Sequence, residues 1–180
     1  MTTALAPSYD RLTRDNAVLL LIDPQVGPLW ELDASALRRQ LTGLARIARQ
    51  LAIPTIVTTI APDELGPVIP ELPGSARTRA FIERRVGNAW DDPRVRHDIR
   101  ATRRTRLIVA GSVTDAGVAP CAVAAANDGF VVHAAIESKP ATHNAVRRMI
   151  EAGVVVTSYG IVNLELTGAD ARPSTLQLFR

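Results

Sequence analysis

The stretch AVLLLID, residues 17–23, decides the fold, because six apolar residues run without interruption and end at Asp23. An unbroken apolar run of this length is typical of a strand that is buried on both faces, as in the middle of a parallel sheet. A carboxylate at the end of such a strand is costly unless it is paired or functional. Asp23 is therefore the first candidate functional residue, with a loop cap beside Pro24 as the alternative.

Outward from this run, apolar runs alternate with segments whose apolar residues recur at helical spacing, which predicts an α/β fold. Right-handed crossovers then give a three-layer, doubly wound, Rossmann-like architecture around a mostly parallel six-stranded sheet. We expect a single domain over residues 1–180, with a core at about 15–170, a Pro- and Gly-rich loop at 64–75 and a short tail at each end. The predicted strands span 17–23, 53–60, 80–85, 105–111, 130–136 and 154–158, and the predicted helices span 33–52, 91–102, 116–128, 141–153 and 161–168.

Composition excludes several classes of function. Apolar residues make up 47% of the 180 and charged residues 22%, which is typical of a globular domain. No apolar run reaches the ~18 residues of a membrane span, no secretory signal is visible, and one cysteine cannot form an internal disulfide. We therefore expect a cytoplasmic protein without a membrane partner. The net charge of +3 comes from scattered arginines without interleaved aromatic residues, so no nucleic-acid partner is predicted.

In doubly wound folds, ligands bind beyond the carboxyl ends of the strands. This rule selects Asp23 after the first predicted strand, residues 84–90 after the third, and residues 112–117 after the fourth. These three segments form the predicted site.

Five motifs resemble one family, the isochorismatase-like hydrolases, over residues of about 15–170. The resemblance implies the same α/β fold, and the motifs match a subgroup of small members whose substrates are mostly unassigned. The motifs are LLLIDPQ (19–25), LGPVIPEL (65–72), VGNAWDDPRV (86–95), IVAGSVTDAGV (108–118) and VVTSYGIVNLEL (155–166).

Most amidases of this family use an Asp–Lys–Cys triad, and the resemblance places the Asp at Asp23. The Lys position falls best at Arg84, with its neighbour Arg85 as the alternative, and the Cys position falls at Gly117. Glycine cannot act as a nucleophile, and an arginine stays protonated although its planar fork can hold an anion. The resemblance therefore implies a member in which the Cys and the Lys of the family are replaced.

The single cysteine, Cys121, lies four residues after Gly117 and one turn deeper along the predicted helix, so we expect it in the core. The resemblance also implies an oxyanion hole made by backbone near the start of this helix. Gln25, Trp30, Asn88 and Trp90 stand at motif positions and are candidate pocket residues. The candidate substrate-binding residues are thus Gln25, Trp30, Asn88, Trp90, Val113, Thr114 and Ala116, beside the catalytic candidates Asp23, Arg84 and Gly117.

We expect no cofactor and no metal. His97, His133 and His143 lack the spacing that zinc-binding members of the superfamily use, and no Gly-rich phosphate loop is present. The expected partners are a small-molecule substrate and further copies of the chain, because members of this family usually form oligomers.

Two functional hypotheses follow from this sequence. The first is a hydrolase without a thiol, in which Asp23 is the acid or base acting on a small anionic, vinyl-ether or amide metabolite; isochorismatases also carry Gly at the Cys position. An Asp-driven lyase or isomerase is a variant of this hypothesis. The second is an inactive family member that binds a ligand or has a structural role. A thiol amidase that uses Cys121 is a third, less favoured hypothesis.

Overall fold

The computed structural model describes residues 11–29, 35–73, 78–136 and 143–168, and Trp30 and the tail from 169 onward lie outside these residues. The described part alternates strands and helices as predicted. The strands are β1 (Ala17–Ile22), β2 (Thr55–Ile60), β3 (Thr78–Arg84), β4 (Arg106–Gly111), β5 (Val131–Ala135) and β6 (Val155–Thr157), and the helices are α1 (Ser35–Gln50), α2 (Pro62–Leu65), α3 (Pro93–Ala101), α4 (Ala119–Asn127), α5 (His143–Glu151) and α6 (Tyr159–Thr167).

The six described strands form one sheet in the order β3-β2-β1-β4-β5-β6, and every neighbouring pair is parallel. β1 and β4 lie side by side, with Ile22 beside Gly111 at their carboxyl ends. All residues of both strands are buried, as the unbroken apolar runs predict. The strands before β4 add to one side of β1, and β4 and the later strands add to the other side. The expected ligand crevice therefore lies between the carboxyl ends of β1 and β4.

Helices cover both faces of the sheet and give the predicted three layers. On one face, Leu41 and Leu44 of α1 and Val162 of α6 pack in one apolar cluster with alternate residues of the strands. On the other face, Ile99 of α3 and Met149 of α5 pack with α4 and the remaining strand residues in a second cluster. The predicted α/β fold with a parallel six-stranded sheet is confirmed. None of the described helices is long and apolar enough to cross a membrane.

The chain after β4 differs from the single helix predicted over 116–128. A π-helical turn, Thr114–Val118, comes first, and the backbone N–H groups of Gly117 and Val118 both donate to the carbonyl of Val113. α4 then begins at Ala119. Pro120 explains the wide turn, because proline has no N–H to donate and its ring crowds the carbonyl four residues earlier. The predicted loop at 64–75 is also corrected, because the single turn of α2 reaches into it.

The contact between the ends of β1 and β4 leaves no room for a side chain at Gly111. A Cβ atom there would lie 2.6 Å from the carbonyl oxygen of Ile22 and 3.0 Å from its Cβ. We predict that Gly111→Ala lowers the free energy of unfolding by about 1–3 kcal/mol, because backbone must shift to relieve the clash. Urea denaturation measures the change. Gly43→Ala is the matched control: nothing lies within 4 Å of a Cβ in this interior turn of α1, so the same substitution should be neutral or stabilising.

A buried histidine in β5 should make stability fall in mild acid. His133 is 1% exposed, and neither ring nitrogen has a hydrogen-bond partner in the part of the chain that the structure describes. Burial lowers the pKa of His133 below its usual value of 6.5; Glu165 opposes this shift and Arg106 adds to it. The unfolded chain therefore binds more protons in mild acid, so the free energy of unfolding should fall as the pH drops below about 6.5.

His133→Leu should make this decline shallower between about pH 6.5 and pH 5, because it removes the group that the unfolded chain protonates. Urea denaturation at a series of pH values measures the slope. The exposed His97→Gln is the control and should keep the full decline. An unchanged slope in His133→Leu would contradict this assignment.

Candidate active site

The candidate site forms where four neighbouring strands reach the same edge of the sheet. Asp23 follows β1, Thr58 lies near the end of β2, Arg84 is the last residue of β3, and Ser112 follows β4. These strands are consecutive in the sheet, in the order β3-β2-β1-β4, so their carboxyl ends converge. The fold thus brings Asp23 and Arg84 together across 61 residues of sequence.

Asp23 and Arg84 form a buried ion pair. One guanidinium nitrogen of Arg84 donates to Oδ2 of Asp23, while the Thr58 hydroxyl donates to Oδ1 at 2.9 Å. The Arg84 side chain is 2% exposed and the Asp23 side chain 11%, so the carboxylate is the more exposed member of the pair. Two donors thus hold the carboxylate, one on each oxygen.

Arg84 also makes hydrogen bonds to the backbone that follows it. Its second terminal nitrogen donates to the carbonyls of Val86 and Gly87, which ties the following turn to the ion pair. Its Nε is buried and has no hydrogen-bond partner among the described residues. The sequence predicted an arginine whose fork is open to an anion, and the structure corrects this, because the fork is committed to Asp23 and the turn. Arg85 is exposed and takes no part in the ion pair, so of the two candidates Arg84 is the residue paired with Asp23.

The backbone of Asp23 is held as firmly as its side chain. Its φ of 49° lies in the left-handed region, which aspartate tolerates better than most residues. The Asp23 N–H donates to the carbonyl of Thr58 at 3.1 Å, and its carbonyl accepts from the Ser112 hydroxyl at 2.6 Å and from the N–H of Gln25 at 2.7 Å. β2 and β4 therefore fix the direction in which the carboxylate points.

Position 117 lies beside the end of β1. Gly117 is buried, and a Cβ atom there would lie 3.3 Å from Cγ2 of Ile22, the residue before Asp23. Its N–H donates to the carbonyl of Val113, so this amide is already used within the turn; the oxyanion hole that the resemblance implies near the start of the helix stays a prediction. Val113 and Ala116 are exposed and Thr114 is half-buried, and these three remain candidates to line the site.

Cys121 is buried in the apolar cluster that α4 shares with the sheet. Burial raises the pKa of this thiol to about 12, against the smaller opposing effects of Arg84 and of a hydrogen bond with the backbone of Trp90. The reactive form of cysteine is the thiolate, which is scarce at neutral pH for such a group. The core position predicted for Cys121 agrees with its complete burial.

Three residues predicted to contact substrate make hydrogen bonds within the protein. The amide of Gln25 is fully buried and donates to the carbonyls of Ile60 and Gly66, joining β2 to the loop that follows α2. The side chain of Asn88 accepts from the N–H of Trp90, and the Trp90 indole donates to Asp128 at 3.2 Å. These contacts show a structural role for each residue, and their contact with substrate stays a prediction. The prediction for Trp30 falls outside the described residues.

Thr58 is the functional candidate that sequence reasoning missed. The rule for strand ends applies to β2 as it does to β1, β3 and β4, but the run IPTIVTTI carries two threonines near its end and no charge to single out either. No group of three His, Cys, Asp or Glu side chains is placed to hold a metal ion among the described residues.

Comparisons with known proteins identify the family of this chain. The family described as "Isochorismatase domain" matches residues 17–159. The probable hydrolase YcaC of Escherichia coli K12 is 30% identical over 164 residues, which cover 85% of this chain and 79% of the relative.

Two solved structures have the same fold. YcaC from Pseudomonas aeruginosa, solved with hexane-2,5-diol and covalent acrylamide, superposes with a TM-score of 0.82 at 31% identity, covering 90% of this chain and 85% of that one. E. coli YcaC, described as an octameric hydrolase of unknown specificity, gives 0.83 at 29% identity, covering 97% and 91%. On its sequence and its fold, the chain belongs to the isochorismatase family of hydrolases.

Proposed function

We propose that this chain is a hydrolase that works without a thiol, with Asp23 as the acid/base that acts on a small metabolite. The buried ion pair between Asp23 and Arg84, at the carboxyl ends of the central strands, is the observation that carries the proposal. A paired carboxylate that borders open space at this edge of an α/β sheet is suited to proton transfer.

Hydrolysis of an amide is the reaction that this arrangement supports best. Asp23, whose two oxygens accept hydrogen bonds from Arg84 and Thr58, takes a proton from a water molecule as that water attacks the substrate carbonyl. The C–N bond then breaks, and Asp23 returns the proton to the leaving nitrogen. The enzyme ends the cycle unchanged, and the products are a carboxylic acid and an amine.

Arg84 supports this step by keeping its charge throughout. When Asp23 takes the proton, the guanidinium loses its partner at the moment when negative charge develops on the substrate oxygen. A fixed cation in a site with little water stabilises that charge strongly. Arg84 is therefore proposed as the electrostatic residue of the site, and its bonds to Val86 and Gly87 keep it from moving.

The chain offers no reactive thiol at this site, which supports the proposed role of Asp23. Cys121 is fully buried and its pKa is raised to about 12, which does not suit a nucleophile. Gly117 stands where the resemblance places the thiol of the family, and it leaves the space beside Ile22 to water and substrate.

The same pair fits the other substrate classes less well. Protonation of a vinyl ether needs a proton on a carboxylate oxygen of Asp23, and both oxygens already accept hydrogen bonds, from Arg84 and from Thr58. A small anion needs a free cation, and the fork of Arg84 is committed. Abstraction of a proton beside a carbonyl, as in a lyase or isomerase, uses Asp23 as the same base, and product analysis distinguishes it from hydrolysis.

A second candidate function is a binding or structural role without catalysis. The near-complete burial of the ion pair favours it, because a buried pair also arises where two charges only hold strand ends together. Turnover separates the two candidates.

We also propose that the chain forms a homo-oligomer. Ile161 and Leu164 of α6 are 51% and 59% exposed and lie three residues apart on that helix, which suits a contact between copies. The octamer described for E. coli YcaC supports the proposal.

Turnover of a panel of small amides and of isochorismate tests the function. We predict that Asp23→Asn lowers kcat by at least about 100-fold, because it removes the acid/base while keeping the shape of the side chain. Cys121→Ala should keep turnover within about twofold, because a buried thiol takes no part in the chemistry. Release of ammonia or of the product acid measures both.

The double variant Asp23→Asn/Arg84→Gln separates loss of the acid/base from loss of folding stability. The single change leaves a buried cation unpaired, at a cost of about 3–5 kcal/mol, and the double change removes both charges. The double variant should therefore unfold closer to the unmodified protein yet stay inactive. Loss of turnover in Cys121→Ala with the fold intact would contradict the proposal, and so would normal turnover in Asp23→Asn.

A further inference from the structure

Thr58 contacts Asp23 twice, once through the backbone and once through the side chain. Its carbonyl accepts from the N–H of Asp23 at 3.1 Å, and its hydroxyl donates to Oδ1 at 2.9 Å. Thr58 is completely buried at the end of β2, between β1 and β3. The hydroxyl lies within the protein interior and has the carboxylate as its acceptor.

The two carboxylate oxygens of Asp23 thus have different partners on neighbouring strands. Arg84 on β3 holds Oδ2 and Thr58 on β2 holds Oδ1. A single donor leaves a carboxylate free to turn about its terminal bond, whose torsion is broad, and two donors fix it. With both in place, the plane of the carboxylate is fixed relative to β2 and β3.

We propose that Thr58 is a positioning residue for Asp23 and that its hydroxyl sets the orientation in which the carboxylate exchanges a proton with water. The inference rests on the proposed function of Asp23 as the acid/base. Thr58 itself contacts neither water nor substrate in this account, and it acts only through the carboxylate. A small misplacement of a catalytic group costs rate steeply, which is why one hydrogen bond is expected to matter.

The same strand supplies a matched comparison. Thr55 is also completely buried in β2, but its hydroxyl donates to the nearby carbonyl of Ile53 at 3.3 Å and does not reach the site. Thr55→Val and Thr58→Val therefore remove the same hydroxyl from the same strand. Only the Thr58 substitution removes a hydrogen bond to Asp23.

The experiment compares Thr58→Val, Thr58→Ser and Thr55→Val in kinetics and in crystal structures. Thr58→Val should lower kcat by about 10- to 100-fold and leave KM within about twofold, because the base is misplaced while the pocket is unchanged. Thr58→Ser keeps the hydroxyl and should recover most of kcat. Thr55→Val should leave both constants unchanged. In the crystal, the Asp23 carboxylate should turn away from its present orientation in Thr58→Val only.

An Asp23 carboxylate that keeps its orientation in Thr58→Val would overturn the inference, whatever the substrate proves to be. Failure of Thr58→Ser to recover kcat would overturn it as well, because the loss would then come from packing. The proposed function fails separately: turnover that survives in Asp23→Asn contradicts that function, whereas loss in Asp23→Asn with full turnover in Thr58→Val contradicts only the role of Thr58.

Discussion

The ion pair between Asp23 and Arg84 constrains the rest of this structure. Two charges taken out of water are stable only when they meet in good geometry and their remaining donors and acceptors are satisfied. Residues at or after the ends of β1, β2, β3 and β4 all contribute to that requirement. The Thr58 hydroxyl donates to Oδ1 of Asp23, and the Ser112 hydroxyl donates to the backbone carbonyl of Asp23. The carbonyls of Val86 and Gly87 accept from the guanidinium. The edge of the sheet is organised around one pair of charges.

The ion pair is a consequence of the order of the strands in the sheet. Strand order brings the ends of β3 and β1 to either side of β2, so one long arginine side chain reaches across β2 to the carboxylate. In the proposed reaction, a proton moves onto Asp23 while charge develops on the bound substrate, so the net charge of the interior stays constant. The proposed step uses no thiol, and the single cysteine of the chain is packed in the core.

The fold could be predicted well from the sequence because the patterns that indicate strands and helices are local. The run at 17–23 and the alternation of strands and helices identify the parallel sheet, and the strand-end rule identifies Asp23, Arg84 and the turn after β4. The sequence did not predict hydrogen bonds between residues that are far apart along the chain. Gln25 and Trp90 lie in recognisable motifs, yet their polar groups bond to distant backbone and to Asp128. Thr58 carries no charge and no motif, so only its contact with Asp23 reveals it. The π-helical turn depends on Pro120, whose effect on the preceding turn the helical pattern does not show.

If the paired carboxylate is the reactive group of this site, Cys121 is inert. Treatment with acrylamide, which adds to accessible thiolates, followed by intact-mass measurement, distinguishes the carboxylate from the thiol. The folded protein should stay unmodified and keep its turnover, and one acrylamide per chain should add at Cys121 only after denaturation. Rapid addition of one acrylamide at Cys121 of the folded protein, with loss of turnover, would instead assign the chemistry to the thiol.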